Sequence, residues 1–196
     1  MMIKFRPEDH TYWDDTGLVP GVTTVIETIC QAFANIPDKY LIPAQDRGTA
    51  VHKATELDDM EVLDESTLDA DLLPYLDAWR QFRADTKFQP ERVEKMVYHP
   101  TFRYAGTLDR TGTMTWKRAR RKVILDVKTG PKSRGIGLQL AAYQAALKAE
   151  LDDEIKTRVS VHLKPTGKYM IEEYTDTSDL RVFLAMLTSY KWMKEK

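Results

Sequence analysis

The sequence has very little cysteine and lacks any long apolar run. Cys30 is the only cysteine among 196 residues, so no disulfide can form within the chain. No stretch approaches the ~20 apolar residues of a membrane span, and the opening residues contain no apolar core of a secretion signal. Repeats, low-complexity tracts and Gly/Ser linkers are also missing. We therefore expect a cytoplasmic protein.

The chain also has almost no net charge, at −1, which by itself argues weakly against a general nucleic-acid binder. The charges are nevertheless segregated: nine acids face one base between residues 51 and 77, and eight bases face one acid between residues 116 and 134. The basic segment suits contacts to phosphates, or it is the solvated tip of a hairpin. Lys132 and Arg134 follow a predicted strand, so we favour them over the tip at residues 117–122.

An acid and a base interrupt the apolar, strand-like run of residues 123–130. Because residues i and i+2 of a strand share a face, Asp126 and Lys128 project side by side. Leu125 and Val127 point the other way. Upstream, residues 104–109 form a second strand-like run that ends in Asp109. Asp-x-Lys is too short a motif to be specific, and an ordinary ion pair at a strand edge would give the same pattern.

These groups have the chemistry of a metal-dependent phosphodiesterase. Mg²⁺ prefers hard oxygen ligands, which Asp109 and Asp126 would supply together with water and phosphate oxygens. The metal would activate a water molecule and neutralise charge on the phosphate. Lys128 is a point charge that can hold the attacking water or the phosphate.

Two pairs of polar residues have the i, i+4 spacing that places both on one face of a helix. His52 and Glu56 form the first pair, and their face can reach a metal ion; each is otherwise an ordinary exposed or satisfied helix residue. Gln139 and Tyr143 form the second pair, in the helix expected after the Asp126 strand. That pair suits either substrate contact or the rim of a core.

Taken in order, these segments resemble the PD-(D/E)xK nuclease superfamily and, within it, the RecB-like exonucleases of phages. The matching pieces are the helix of residues 48–56, the segments 106–109 and 124–130, and Gln139-x-x-x-Tyr143. The resemblance implies these metal ligands: His52, Asp109, Asp126 and the carbonyl of Val127. It implies these catalytic residues: Asp109, Asp126, Glu56, and Lys128 as the base or water-orienting group. It implies that Gln139 and Tyr143 contact DNA or brace the site. Lys132 and Arg134 of the basic segment, together with Arg47, are further candidate DNA contacts.

The implied fold is an α/β, restriction-endonuclease-like core, in which helices flank a central mixed sheet and the N-terminal part is helical. We expect one nuclease domain over residues 1–196, since a single core becomes limiting only beyond ~250 residues. Mg²⁺ or Mn²⁺ is the implied cofactor. Some relatives carry a four-cysteine iron-sulfur cluster, which one cysteine cannot hold. Cys30 is expected to be a buried apolar residue of the first helix.

The implied activity is that of a metal-dependent DNA exonuclease acting on single-stranded or duplex ends in phage or bacterial recombination, repair or DNA processing. The setting would be a bacterial cell or a phage-infected host, without a membrane, and a recombination or replication protein would be a natural partner. Two alternatives remain open: a resolvase-like, structure-specific endonuclease on the same core, and an inactive nuclease fold that serves as a DNA-binding or assembly subunit.

Periodicity and turn residues predict the order of elements. A small hairpin at the start is followed by helices over residues 22–34, 37–57, with a break at Pro43, and 68–87. Strands are predicted over residues 92–99, 103–110, 113–117 and 122–128. A crossover helix over residues 137–150 leads to strands 158–163 and 168–174 and a final helix from Ser178. That crossover is long enough to return the chain parallel.

Overall fold

The computed structural model describes residues 3–30 and 36–194. A three-stranded antiparallel sheet opens the chain, with β1 (Lys4–Arg6), β2 (Thr11–Asp14) and β3 (Gly17–Val19) in that order. Its second turn lies where the sequence predicts a turn. Asp14 accepts a hydrogen bond from the backbone N–H of Thr16 at 2.8 Å, and Gly17 has φ +123°, which a side chain would disfavour.

The first two helices are α1 (Val22–Cys30) and α2 (Asp38–Asp59). The end of the first predicted helix falls outside the described residues. The predicted break at Pro43 is wrong: α2 runs through Pro43, which is exposed, so its ring and the lost hydrogen bond are accommodated at the helix surface. Cys30 is also exposed, contrary to expectation, because the face of α1 that packs on the core carries Val22, Val25 and Ile26.

The third helix begins later than the sequence predicts. Two short 3₁₀ turns, Glu65–Thr67 and Ala70–Leu72, precede α3 (Leu73–Thr86). Pro74 explains the start, because proline is favoured in the first turn of a helix and disfavoured inside it. The apolar residues Leu76, Trp79 and Phe82, spaced three apart, form the buried face of this helix.

The central sheet has five strands in chain order: β4 (Gln89–His99), β5 (Tyr104–Trp116), β6 (Ala119–Lys128), β7 (Thr157–Leu163) and β8 (Tyr169–Tyr174). The β6–β7 pair is parallel, as the crossover α4 (Arg134–Leu151) predicts, and the other pairs are antiparallel. The final helix, α5 (Asp179–Lys194), follows β8. The expected mixed sheet flanked by helices is confirmed.

One long strand replaces two predicted strands. β5 continues through Gly112, which the sequence analysis placed between strands 103–110 and 113–117. This glycine marks a close approach and not a turn: a Cβ there would lie 2.2 Å from the carbonyl oxygen of Gln89 and 2.8 Å from the Phe88 ring. Glycine at that position therefore lets β4 and β5 pair along their whole length.

The two faces of the central sheet are covered by different helices. One apolar cluster joins Ile124 of β6 to α1, α4 and α5, whereas another joins Leu125 and Val127 to α2 and α3. Asp126 and Lys128 therefore share the face of Ile124, as the alternation of a strand requires. Among the described residues, no helix is both long enough and apolar enough to cross a membrane.

Candidate active site

The site is centred on the end of β6, where Asp109 of the neighbouring strand reaches across. Its Oδ2 accepts a hydrogen bond from the backbone N–H of Val127 at 2.7 Å, and the residue is only 8% exposed. This contact fixes the carboxylate and leaves its second oxygen for another partner. Asp109 and Asp126, which the sequence placed on separate strands, therefore meet at one end of the sheet.

His52 projects from α2 onto the same strand end. Its Nε2 lies 2.8 Å from the carbonyl oxygen of Val127, and its Nδ1 lies 3.5 Å from Asp109 Oδ2. A carbonyl oxygen only accepts, so Nε2 carries the hydrogen. When the ring is neutral, Nδ1 carries a lone pair that faces the Asp109 carboxylate. Two such acceptors repel each other unless a proton or a metal cation lies between them.

Glu94 completes this cluster, and sequence reasoning missed it. One ligand atom from each of His52, Glu94 and Asp109 lies within 4.8 Å of the others. Glu94 stands opposite Asp109 on β4 and has φ +47°, which is uncommon for a residue with a side chain. Burial, together with the charge of Asp109, raises the pKa of Glu94. Strained backbone and perturbed titration together are typical of functional positions.

The donor atoms fit a divalent metal ion. The carboxylates of Glu94 and Asp109 converge with the imidazole of His52. Beside them, Asp126 Oδ2 is buried and accepts no hydrogen bond from any of residues 3–30 and 36–194. Carboxylate and imidazole ligands suit Mg²⁺, Mn²⁺ and related ions, and the arrangement does not choose among them. His52, Glu94 and Asp109 would hold such an ion, with Asp126 beside them.

Asp126 and Lys128 form the expected pair on β6. The lysine Nζ lies 2.9 Å from both carboxylate oxygens, and it hydrogen-bonds Oδ1. Burial raises the pKa of Asp126 to about 6, against the opposing effect of Lys128. Burial acts to lower the pKa of Lys128, but the charges of Asp126 and Asp109 outweigh it and the pKa is raised. The lysine is therefore a cation in this site.

Gln139 of α4 reaches the same carboxylate, and Tyr143 lies beside Gln139. Gln139 Nε2 donates to Asp126 Oδ1 at 3.1 Å and lies 3.5 Å from the Tyr143 hydroxyl. The Tyr143 ring packs on Gly106, where a Cβ would lie 2.4 Å from the ring. Glycine in the Gly106-Thr-Leu-Asp109 segment thus makes room for the residue that flanks Gln139.

A family model described as the PD-(D/E)XK nuclease superfamily matches residues 29–185. The chain belongs to this superfamily. Its members are nucleases, hydrolases that act on nucleic acid and typically use divalent metals. No curated protein matches the sequence.

A solved structure shows the same fold. A crystal structure of a candidate exonuclease from Eubacterium rectale superposes with a TM-score of 0.51 at 12% identity, over 72% of this chain and 63% of that one. The chain thus spans less than two thirds of that structure's length. The likeness supports the restriction-endonuclease-like core at this low identity.

Behind His52, Glu94 and Asp109, the chain buries Arg110, a second residue that sequence reasoning missed. Its Nε donates to Asp59 Oδ2 at 2.6 Å, and both side chains are 0% exposed. Its Nη1 donates to Glu94 Oε1 at 2.9 Å, and its Nη2 donates to Thr55 Oγ1 at 3.3 Å. Arg110 therefore ties α2, β4 and β5 together around the cluster. The only sequence signal was a charged residue directly after Asp109, in a strand that is otherwise largely uncharged.

The remaining predicted site residues lie farther from the cluster or on the surface. Glu56 is one turn beyond His52 on α2 and pairs with Lys53 at 2.9 Å. Lys132 pairs with Glu172 at 3.1 Å, and Arg134 is exposed at the start of α4. The roles assigned to Glu56, Lys132 and Arg134 stay predictions.

Arg47 lies among acidic residues, and the cations of the basic hairpin tip contact other groups of the protein. Arg47 is exposed and lines a cavity of about 570 Å³ with Asp46, Asp69 and Asp71. The tip between β5 and β6 lies at the opposite end of β6 from Lys128 and is therefore away from the site, in line with the preference for Lys132 and Arg134. Its cations contact protein groups: Lys117 with Glu173, Arg120 with the carbonyl of Lys87, and Lys122 with Asp153.

Proposed function

We propose that this nuclease is a Mg²⁺- or Mn²⁺-dependent DNA exonuclease of the RecB-like type. The observation that carries the proposal is the meeting of His52, Glu94 and Asp109 at one strand end, beside the Asp126–Lys128 pair. Carboxylates for a metal ion and a separate cation for the phosphate are what hydrolysis of a phosphodiester needs. The presence of every member of the set argues against a decayed, purely structural fold.

The chain's own residues would divide the work by chemistry. A divalent ion, when bound, supplies charge neutralisation and a coordinated water of lowered pKa. His52, Glu94 and Asp109 would hold it; the Val127 carbonyl, the further ligand that the resemblance implies, accepts instead from His52 Nε2 in this structure. Lys128, a cation that cannot ligate a metal, would orient the attacking water or contact the phosphate. Gln139 holds Asp126 Oδ1, which fixes the plane of that carboxylate.

Action at DNA ends is the finer part of the proposal. It is supported by the resemblance to RecB-like enzymes and by the description of the Eubacterium rectale protein as a candidate exonuclease. We place the activity in bacterial or phage recombination, repair or DNA processing, in the cytoplasm. A single domain and a partner protein in recombination or replication belong to the same proposal.

The test compares end-labelled linear DNA with a closed circle. Single strands and duplexes, labelled at either end, are incubated with Mg²⁺, Mn²⁺ or EDTA. We expect progressive loss of label only with a divalent ion and only on linear DNA. Activity that persists in EDTA would overturn the metal mechanism. Rapid cutting of the circle would replace the exonuclease with the endonuclease alternative.

A further inference from the structure

Beyond Lys128, the same face of the sheet carries a buried chain of polar side chains. Ser160 and His162 of β7 pair in register with Asp126 and Lys128 of β6, and both are 0% exposed. Ser160 Oγ lies 2.9 Å from His162 Nε2 and 3.0 Å from the Tyr174 hydroxyl. Burying polar side chains costs free energy unless they are hydrogen-bonded, and a fully hydrogen-bonded set fixes the local geometry.

The direction of these hydrogen bonds follows from their last acceptor. His162 Nδ1 lies 3.2 Å from the carbonyl oxygen of Gly130, which can only accept, so Nδ1 carries the hydrogen. Burial lowers the pKa of His162, which favours the neutral ring. Nε2 then accepts from the Ser160 hydroxyl, and Ser160 Oγ accepts from Tyr174. The whole chain of donors ends on the backbone at Gly130.

This Ser–His contact is not a nucleophilic pair. Both residues are 0% exposed, so no substrate can reach the Ser160 hydroxyl. The His162 Nδ1 faces a carbonyl and not the carboxylate that would orient an imidazole for base catalysis. The role of His162 is therefore sought in its contact with the Gly130 carbonyl.

Gly130 belongs to the segment of residues 129–133, which joins two elements of the site. β6 precedes the segment and presents Lys128, and α4 follows it and presents Gln139. The segment has no helix or strand of its own. A second contact from β8, between Glu172 and Lys132 at 3.1 Å, also holds it, but through exposed or half-buried groups. The His162 contact, by contrast, is made by a fully buried side chain.

We infer that His162 is a positioning residue, which holds the backbone at Gly130 and thereby sets Lys128 and Gln139 relative to Asp126. Ser160 and Tyr174 fix the ring so that its Nδ1 hydrogen points at that carbonyl. The inference rests on the proposed function, since it concerns the geometry of the cleavage site. It adds two strands, β7 and β8, to the machinery that the metal ligands and the Asp126–Lys128 pair define.

Two isosteric substitutions separate the two ring nitrogens. In asparagine the amide nitrogen is bonded to Cγ, as Nδ1 is in histidine, so His162→Asn keeps a donor for Gly130. In glutamine the amide nitrogen lies one atom farther out, near the Nε2 position, so His162→Gln loses that donor. The matched control is His99→Asn, because His99 is also a buried strand histidine whose ring contacts a turn, through the Phe102 N–H at 3.3 Å.

The measurements are kcat and KM on linear DNA, metal affinity, melting temperature, and limited trypsin digestion after Lys132 and Arg134. We expect His162→Gln to lower kcat by about 10- to 100-fold with little change in KM, as for loss of an orienting contact. Its 129–133 segment should be cut faster, because local opening exposes it. His162→Asn should keep both kcat and protection near those of the wild type. His99→Asn should lower only the melting temperature.

Equal behaviour of the two His162 variants, in either kcat or trypsin protection, would overturn the inference. So would a loss of kcat that merely follows melting temperature across all three variants. If the wild type cleaves no DNA, the proposed function fails. The digestion pattern then still decides whether His162 anchors Gly130, since it needs no activity.

Discussion

Arg110 and Asp59 form a fully buried ion pair, with Nε 2.6 Å from Oδ2 and no exposure of either side chain. The pair is costly to bury but costlier to break, because a lone buried charge has no compensation. Its second function is to hold Glu94 Oε1 at 2.9 Å, which leaves the other oxygen of Glu94 free to face His52 and Asp109.

Arg110→Met should therefore lower the free energy of unfolding by at most about 3–5 kcal/mol, since Asp59 loses its shortest ion pair and keeps only Arg83 at 3.1 Å and the Trp79 N–H at 3.0 Å. The double variant Arg110→Met with Asp59→Leu should recover most of that stability, because neither member of the buried pair is left without the other, and Arg83 still pairs with Asp58 at 3.3 Å. It should still bind Mn²⁺ weakly, because Glu94 is no longer held. Urea unfolding and calorimetry check the two effects. A single variant as stable as the wild type would contradict the buried-pair interpretation.

Asp126→Asn should stabilise the protein in EDTA at neutral pH while abolishing cleavage. The pKa of Asp126 is raised from the ordinary 3.8 to about 6, which corresponds to at most about 3 kcal/mol. An acid with a raised pKa favours the fold below the unfolded value and loses that contribution as pH rises through the folded value. The gain should thus be present above pH ~6 and vanish towards pH ~4.

Melting curves of wild type and Asp126→Asn in EDTA, taken across that pH range, provide the measurement. DNA binding in the absence of metal, measured by gel shift, should be unchanged or tighter, because the variant removes one negative charge that faces the phosphate. A lower melting temperature at neutral pH with cleavage preserved would mean that Asp126 is only half of a structural ion pair with Lys128.

Lys128→Ala should keep divalent-ion binding and lose turnover by roughly 10²-fold, as when one preorganised electrostatic group is deleted. An ammonium cannot ligate a metal, so its loss affects the water and the phosphate and not the ion. Calorimetry with Mn²⁺ and single-turnover kinetics measure the two quantities. Lys156→Ala is the control, because the Lys156 side chain is 83% exposed and pairs only loosely with Glu154 at 3.8 Å. Near wild-type turnover in Lys128→Ala would defeat the assignment.

Glu94→Gln should weaken divalent-ion binding by about 10- to 100-fold, whereas Glu56→Gln should change it little. The reason is geometric: Glu94 joins His52 and Asp109 within 4.8 Å, while Glu56 pairs with Lys53. Titration of Mn²⁺ into each variant tests this directly. The reverse order of effects would restore Glu56, the acid that the family resemblance favours, as the ligand.

How far the sequence predicts the site depends on whether the geometry is local. Asp126 and Lys128 share a face because a strand alternates, and Gln139 and Tyr143 share one because a helix repeats, so both pairs follow from spacing alone. The meeting of Asp109 with Val127 follows from two adjacent strands. These are the parts of the site on which sequence reasoning and structure agree.

Glu94 and Arg110 could not be found in the same way. Their approach depends on the register of β4 against β5 and on the left-handed backbone at Glu94, and neither is encoded in a short pattern. In a one-sequence reading, alternating charge around Val93 indicates an exposed strand. Gly112 misled for a related reason: a glycine that permits close approach looks the same in sequence as one that ends a strand.

The position of His52 on α2 has a consequence for folding. Asp109 and Glu94 come from consecutive strands that pair with each other, whereas His52 comes from a helix much earlier in the chain. An ion bound by His52, Glu94 and Asp109 would link α2 to the central sheet. By mass action it would add about 2.7 kcal/mol of stability at a hundredfold excess over Kd. Metal availability would then govern how long the enzyme survives as well as how fast it works.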